Sequence, residues 1–495
     1  MTDSEWDVVV VGAGTSGCAL AARLADAGRR VLLLEAGADH PRPEDFPPDL
    51  RDAATLRAAV PGHAANWDLT GELTEGVTAR IPRGRVVGGS SAVNAGSFIR
   101  ATRSDLDGWA ADGNDLWSYD AVLPSFRRLE ADREFGDRPE HGADGPVPVV
   151  RAREGSPLAD SFVAAAAELG HPEEPDKNAG GTSPGYGPVP LNVVDGVRIN
   201  TAMAYLSPRR ALAALTVRGG VTVRRVVVEG GRAVGVESAE GVVRAAEVVL
   251  CAGAVGSAHL LLLSGIGPAD ELRRSGIAVV ADVPGVGAEF SDHPNVHVGY
   301  VPADALPRPR HPLHGVLHAT SRLPGDLEIL PWLTPFDGAG EPVVGVGLQQ
   351  PVSRGRLSLD ENGPTRQPRL AYGYLAEESD RRGLREAVRL AAELLRTASL
   401  ARLVDGRAGL PDDVLRADRE LDGWIRAHLT TAIHLSGTAR MGPPSDPGAV
   451  VDQRLRVRGV RGLRVVDTSV LPRVPSRGPA ATAVMVGERA AELMT

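Results

Sequence analysis

Lysine is all but missing from this chain. Lys177 is the single lysine in 495 residues, although Lys and Arg together number 54. Arginine therefore carries nearly all the positive charge, a bias that reads as codon usage more than chemistry. The formal net charge is -9, so the basic face that a nucleic-acid partner requires is lacking. Cysteine is almost as scarce. Cys18 falls where a helix should begin and Cys251 in an apolar strand, and two such small buried hydrophobes build neither a disulfide framework nor a zinc site. No apolar run approaches the roughly 18 residues of a membrane span. The first residues, MTDSE, are acidic and lead straight into a strand, without a basic n-region. These absences set the expectation of a cytoplasmic protein with no metal site. Internal repeats and low-complexity linkers are missing too.

What is present is ordinary in bulk and specific in detail. A chain of this length, 43% hydrophobic and 24% charged, can hold a large core and two domains, or one domain with a substantial insertion. Its first 37 residues read as a βαβ unit: DVVVVGAG, then TSGCALAARLADAGRR, then VLLLEAG. A continuous valine run suits a central parallel strand buried on both faces. Leu20 and Leu24 lie four apart, as one buried helical face requires. Residues 40–80 are rich in proline and read as irregular. In 83–101, glycines and serines sit between apolar residues, a pattern that suggests backbone approaching a ligand. The alternation in 221–238 predicts a hairpin turning at Gly230-Gly231. A buried strand, a small-residue turn and a helix follow over 245–267. Residues 300–375 read as strands with proline breaks. Leu384, Val388 and Leu395 mark one stripe of a helix opening with Glu377, Glu378 and Asp380. From 462 a strand and then a helix complete the chain, which leaves one domain and returns to it.

The glycines of the βαβ unit form G-x-G-x-x-G at Gly12, Gly14 and Gly17, with Glu35 closing the second strand. Gly12 permits the tight turn, Gly14 lets backbone approach a pyrophosphate, and Gly17 lets helix pack on strand. The helix amino terminus stabilises phosphates and Glu35 can accept hydrogen bonds from a ribose. A bound dinucleotide is expected. The unit alone leaves a soluble nicotinamide and a resident flavin both open, and PGVGAEF at 284–290 lacks the third glycine of a second such unit.

The remaining motifs resemble those of the glucose–methanol–choline (GMC) flavin oxidoreductases. The resemblance is carried by GRVVGGSSAVNAGSFIRATRSDLDGW (84–109), LWSYDAVLPSFRRLE (116–130) and GAVGSAHLLLLSGIG (253–267). RINTAMAYLSP (198–208), PGVGAEFSDHP (284–294), HLSGTARMG (434–442) and VVDTSVLP (465–472) support it, in order along the chain. The likeness is weakest over about 300–430, where the family itself varies. The short chain, GGSSAVNAG and PSRGPAAT are most similar to an actinobacterial branch associated with mycofactocin redox metabolism. The resemblance implies FAD as cofactor, held by Gly12, Gly14, Thr15, Ser16, Gly17, Glu35 and Ala36. It also implies a loop of Val87, Gly89, Ser90, Asn94 and Ala95 against the flavin, Val226 at the adenine, and Asp467 and Thr468 at the ribityl chain. Val93 stands where some relatives carry a histidine bonded to the flavin, which implies non-covalent FAD.

His434 is the catalytic candidate. An imidazole with an ordinary pKa near 6.5 can take a hydroxyl proton at neutral pH, and the place of His434 in HLSGTARMG resembles the family's catalytic histidine. His293, in SDHP, matches a packing segment and is read as structural. A second histidine or asparagine usually follows the D-x-S-V-x-P segment. Here the alignment puts Gly478 there, or Ala480 with a shift of two, and neither has a polar side chain. Removing one such donor typically costs about 10²- to 10⁴-fold in rate. Three readings stay open: Arg477, Ser476 or a residue of the variable domain substitutes; His434 suffices; or the chemistry has changed. Ala258 replaces a usual proline at a helix start.

These readings give an α/β protein, with a Rossmann-like FAD-binding domain of the GMC type and an inserted α+β substrate domain built on an antiparallel sheet. The FAD domain is expected over 1–150, 196–298 and 431–495, and the substrate domain over 151–195 and 299–430. The resemblance implies oxidation of a primary or secondary alcohol to a carbonyl, with His434 as general base and electrons passing to oxygen or a separate acceptor. The expected partners are a small-molecule alcohol and an electron acceptor. Two competitors are a hydroxynitrile-lyase-like enzyme on the same fold and a flavoprotein that carries electrons for a partner.

Overall fold

A computed structural model describes residues 6–152, 155–181, 184–303, 309, 311–335 and 341–495. The acidic MTDSE segment lies outside them. Two seven-stranded sheets dominate the molecule.

The first sheet is built around β1 (Trp6–Val11), α1 (Thr15–Asp26) and β2 (Val31–Leu34). The strand Gly241–Leu250 pairs parallel with β1, and Leu215–Arg218 parallel with β2. Leu463–Val465, from the far end of the chain, adds parallel to Gly241–Leu250. Val8, Val9 and Val10 have no exposed surface, as a parallel strand covered on both faces requires. Beyond Gly241–Leu250 the sheet turns antiparallel through Arg232–Ser238 and Val223–Glu229. That hairpin turns at Gly230 and Gly231, whose φ angles of 56° and 72° demand residues without a Cβ. Leu20 and Leu24 are fully buried under α1. The carboxy-terminal helix Ala480–Met494 lies on α1, and a Cβ at Gly487 would stand 2.4 Å from the carbonyl oxygen of Ser16. The two ends of the chain therefore close one domain.

The second sheet is antiparallel throughout. Its order is Val404–Ala408, Pro294–Pro302, Val343–Leu348, Leu327–Pro331, Gly315–Ala319, Gly185–Pro188, with Leu429–Thr431 also paired to Pro294–Pro302. Residues paired across antiparallel strands share a face. One register row reads Leu429, Val296, Val346, Ile329, Leu317, Tyr186, all buried. This apolar face packs on the helices Pro157–Glu168 and Glu378–Leu394, which bury Phe162 against Tyr300 and carry the stripe of Leu384 and Val388. The next row, on the opposite face, reads Thr430, Asn295, Gly347, Glu328, His318, Gly185. One face is hydrocarbon and the other polar.

Two features differ from the sequence reading. Pro294–Pro302 runs across the expected boundary at 298/299, so the second sheet begins inside the segment assigned to the FAD domain. The 40–80 stretch, read as irregular, contains a hairpin of Leu69–Thr74 and Val77–Ile81. Its third strand, Arg369–Ala371, pairs with it at Ala371↔Glu72; a partner so distant in sequence leaves no local pattern. Cys18 and Cys251 are free and buried. Among the described residues no helix is long and apolar enough to cross a membrane.

Candidate active site

The turn between β1 and α1 is shaped by its glycines. Gly12 has φ 102°, and a Cβ there would lie 2.4 Å from the carbonyl oxygen of Cys251; a Cβ at Gly17 would lie 2.0 Å from the carbonyl oxygen of Gly12. Gly14 differs. The atoms nearest the position its Cβ would take are the Cys251 carbonyl oxygen at 3.9 Å and the Gly89 Cα at 4.0 Å, so packing within the protein does not demand a glycine there. Gly14 caps α1 without a side-chain hydrogen bond, leaving the first-turn N–H groups of the helix free for an anion. This bare helix end fits the pyrophosphate of a dinucleotide. Glu35 is buried at the end of β2, where its carboxylate accepts from the N–H groups of Ala13 at 3.0 Å and Gly37 at 2.9 Å. Burial pushes its pKa up to about 7 against the pull of those N–H groups and that of Ala36.

The Gly-Ser loop lies directly on this turn. A Cβ at Gly89 would stand 2.6 Å from the Cα of Gly14, and the N–H of Gly88 donates to the carbonyl of Ala13 at 2.7 Å. Gly88 and Gly89 both have positive φ. The glycines of 83–101 thus first serve backbone packed on backbone. Val87 is fully buried and donates its N–H to Ala38. Ser90 accepts from the N–H of Gly84, Asn94 from that of Gly96, and the carbonyl of Ala95 from Nε2 of His311. Val93 is buried beside them.

The other expected cofactor residues sit in tight networks. Asp467 accepts from Gly253 N–H at 2.9 Å, Ser257 Oγ at 2.5 Å and Ser469 N–H at 2.8 Å. Its carboxylate pins the helix Gly253–Leu263 to the carboxy-terminal segment. Thr468 donates Oγ1 to the carbonyl of Leu435. Val226 is buried in its strand and gives its N–H to Ser264 Oγ at 2.8 Å.

His434 follows the strand Leu429–Thr431 and is placed by two devices. Its N–H donates to Oδ1 of Asp292 at 2.7 Å. Its predecessor Ile433 has φ 65°, a left-handed conformation costly for a β-branched residue, of the order of 1–3 kcal/mol. Arg83 Nη1 holds the carbonyl of Ile433 at 2.8 Å, and Thr431 Oγ1 accepts its N–H at 2.8 Å. The segments 291–293 and 432–436 are zipped by Ser291–Ser436 hydrogen bonds in both directions and by Ala432 N–H to the carbonyl of His293. Asp292 also accepts from Thr431 Oγ1 and from the N–H of His293. Burial raises its pKa to about 6 although Arg83 and these donors oppose the rise.

The consequence is a histidine pair that the sequence reading missed. His293 Nδ1 lies 2.9 Å from His434 Nδ1, with the rings edge to face. Both imidazoles are held well toward the neutral form. Burial brings His293 down to about 3, and burial, then His293 and Arg83, take His434 well below its ordinary value. SDHP carries no local signal of this pairing, since only folding brings 293 to 434.

Gly478 stands next to this pair. A Cβ built on it would be 3.4 Å from both Cε1 and Nε2 of His434. Gly478, Pro479 and Ala480 keep some accessible surface. The two neighbouring polar groups are committed elsewhere. Ser476 donates Oγ to Asp105 at 2.8 Å, and the buried guanidinium of Arg477 donates Nη1 to the carbonyls of Gly325 at 3.1 Å and Ser476 at 2.6 Å.

Comparison with known proteins places this geometry. Residues 6–295 match the amino-terminal part of the GMC oxidoreductases and residues 351–487 the carboxy-terminal part. An uncharacterized GMC-type oxidoreductase in the thcA 5' region of Rhodococcus erythropolis is 42% identical over 100% of this chain and 99% of its own. Mitochondrial choline dehydrogenase of Homo sapiens is 34% identical over 99% of this chain and 90% of its own. The crystal structure of pyridoxine 4-oxidase from Mesorbium loti superposes with a TM-score of 0.90 at 32% identity, covering 99% of each chain.

Proposed function

The chain belongs to the GMC oxidoreductase family, and we propose that it uses FAD to oxidise a primary or secondary alcohol to a carbonyl compound, with His434 as the general base. Full-length relatives named for choline dehydrogenation and pyridoxine oxidation support this reaction class. When bound, FAD supplies the two-electron acceptor for the carbinol hydride. The turn at Gly14 and the first turn of α1, with Thr15, Ser16 and Gly17, would hold its pyrophosphate. Glu35 and Ala36 would meet the adenosine ribose, and Val226 the adenine. Val87, Gly89, Ser90, Asn94 and Ala95 would line the ring system, with Asp467 and Thr468 toward the ribityl chain. Val93 offers no nucleophile, so the cofactor is held without a covalent bond.

The observation that carries the mechanism is the 2.9 Å Nδ1–Nδ1 contact of His293 and His434. One proton must lie between the two nitrogens. We assign that proton to His434 Nδ1, with His293 Nδ1 accepting it. His434 then donates from Nδ1 and keeps the lone pair of Nε2, beside Gly478, where a hydroxyl proton can be received. A low pKa keeps that lone pair free at neutral pH. Anaerobic mixing of the flavin-loaded enzyme with a panel of alcohols tests the reading: visible flavin absorbance should be lost with the native protein and scarcely with His434→Ala. Undiminished bleaching in the variant removes His434 from the mechanism. Cyanide release from a cyanohydrin with an unchanged flavin spectrum would point to a lyase instead.

A further inference from the structure

Ser476 Oγ and Arg477 Nη1 are engaged elsewhere, so a substrate's polar atoms call for groups from another element. The polar face of the second sheet supplies them. His293 immediately precedes the strand Pro294–Pro302, so the segment that brings His293 to His434 carries Asn295 two residues on. Arg477, next to Gly478, acts electrostatically on Glu328 and His318 in the same row. The row Asn295–Gly347–Glu328–His318 therefore adjoins the histidine pair. Gly347 has no side chain, and two amides close in over it: a Cβ there would be 3.0 Å from Gln349 Nε2 and 3.1 Å from Asn295 Nδ2, tighter than ordinary contact. The two amides meet over that bare Cα.

Three of their four polar atoms lack partners. Gln349 is fully buried and neither its Oε1 nor its Nε2 has a hydrogen-bond partner; Oδ1 of Asn295, itself buried, has none either. An amide buried unpaired is costly and calls for a ligand. The charged groups close by are matched among themselves. Lys177 Nζ lies 2.5 Å from Glu174 Oε2 and 2.7 Å from the carbonyl of Gly185. It also lies 3.2 Å from Nδ1 of His318, whose Nε2 faces Glu328 at 3.4 Å. Burial keeps His318 neutral, and Arg477 adds the second positive charge. Lys177 and Arg477 thus balance Glu174 and Glu328, leaving no net charge for an ionic substrate.

Resting on the alcohol-oxidising reading above, we propose that Asn295 and Gln349 are specificity-determining residues, whose amides bind a second polar atom of the substrate. The substrate class is a neutral alcohol bearing at least one further hydrogen-bonding heteroatom. Hydrocarbon alcohols leave the amides unpaired, and a quaternary ammonium alcohol brings a charge that nothing unmatched receives.

The test compares alcohols of one shape, cyclohexylmethanol against tetrahydropyranylmethanol and benzyl alcohol against hydroxybenzyl alcohol, with choline as the cationic member. The readout is kcat/KM for flavin reduction by the holoenzyme. The native enzyme should favour the heteroatom-bearing member of at least one pair by about 10²-fold or more. Asn295→Leu and Gln349→Leu should each bring that ratio below about tenfold while His434-dependent reduction persists. If either variant fails to fold, the native ratios and the other variant decide. Ratios near one in the native enzyme, or choline turning over fastest, overturn this assignment and leave the reaction class standing. If no alcohol reduces the flavin, the reaction class falls and this assignment with it.

Discussion

His293 and His434 meet through their Nδ1 atoms at 2.9 Å, one ring edge against the other's face. The segment leading into the strand Pro294–Pro302 delivers the first, and the left-handed turn at Ile433 delivers the second. His293→Leu should therefore lower kcat/KM for flavin reduction by about tenfold or more by freeing the His434 ring, whereas His434→Ala should cost about 10²- to 10⁴-fold. Stopped-flow reduction of both variants, with circular dichroism to confirm the fold, checks the order of the two effects.

The pH dependence follows from the same pair. Burial holds His434 well below the ordinary imidazole range, so the proposed base is unprotonated at neutrality and stays so as the pH falls past about 6.5. The rate of flavin reduction should be flat there and drop only in more acidic solution. A profile with its acid limb at the ordinary histidine value would contradict the assigned environment.

Gly478 tolerates a methyl group. Its Cβ would make ordinary contacts of 3.4 Å with His434, so Gly478→Ala should fold and melt like the native protein. The methyl would nevertheless cover the approach to Nε2. A loss of about tenfold in kcat/KM is expected, equivalent to about 1.4 kcal/mol of transition-state stabilisation. A thermal melt and steady-state kinetics on one preparation separate the two effects.

The three glycines after β1 should behave differently when replaced by alanine. At Gly12 and Gly17 the new Cβ would strike backbone oxygens at 2.4 Å and 2.0 Å, so both variants should yield little soluble protein. Gly14→Ala meets no protein atom within 3.9 Å and has ordinary φ. It should fold, yet bind FAD at least about tenfold more weakly, because its methyl occupies the space for the pyrophosphate. Flavin fluorescence quenching measures this.

Elsewhere in the fold, His141 lies between Glu130 at 2.9 Å, Asp132 at 3.3 Å and Asp176 at 2.9 Å, and Arg100, Arg138 and Arg151 pair with the same carboxylates. Burial alone would lower its pKa, but hydrogen bonds to Asp132, Asp176 and Glu130 raise it to about 10 from 6.5. A raised folded-state pKa gives stability that is complete below about 6.5 and lost as pH climbs toward about 10. His141→Leu should cost about 3 kcal/mol near pH 6.5. That difference should shrink on going alkaline, which urea unfolding at several pH values would record.

What could be read from the sequence was what is local. The βαβ unit announces itself because Gly12, Gly14, Gly17 and Glu35 all act within one crossover, and Gly230-Gly231 because a two-residue turn needs positive φ. His293 was invisible as a partner because SDHP has the same spelling whether the imidazole packs or works; only the zipped strands 291–293 and 432–436 decide. The polar row was hidden for the same reason. Asn295, Glu328 and His318 come from three strands, and alternation within each says nothing of which residues line up across them. The hairpin over 69–81 escaped because its third strand begins at Arg369.

The placement of Lys177 has a chemical corollary. A carbonyl product released at high local concentration condenses with exposed primary amines, whereas guanidinium groups do not form Schiff bases. The one lysine side chain has no exposed surface and its ammonium is already coordinated by three neighbours. Should the proposed oxidation yield an aldehyde, an arginine-clad surface offers that product no lysine amine, and the crosslinking to which a lysine-rich surface is open would not start there.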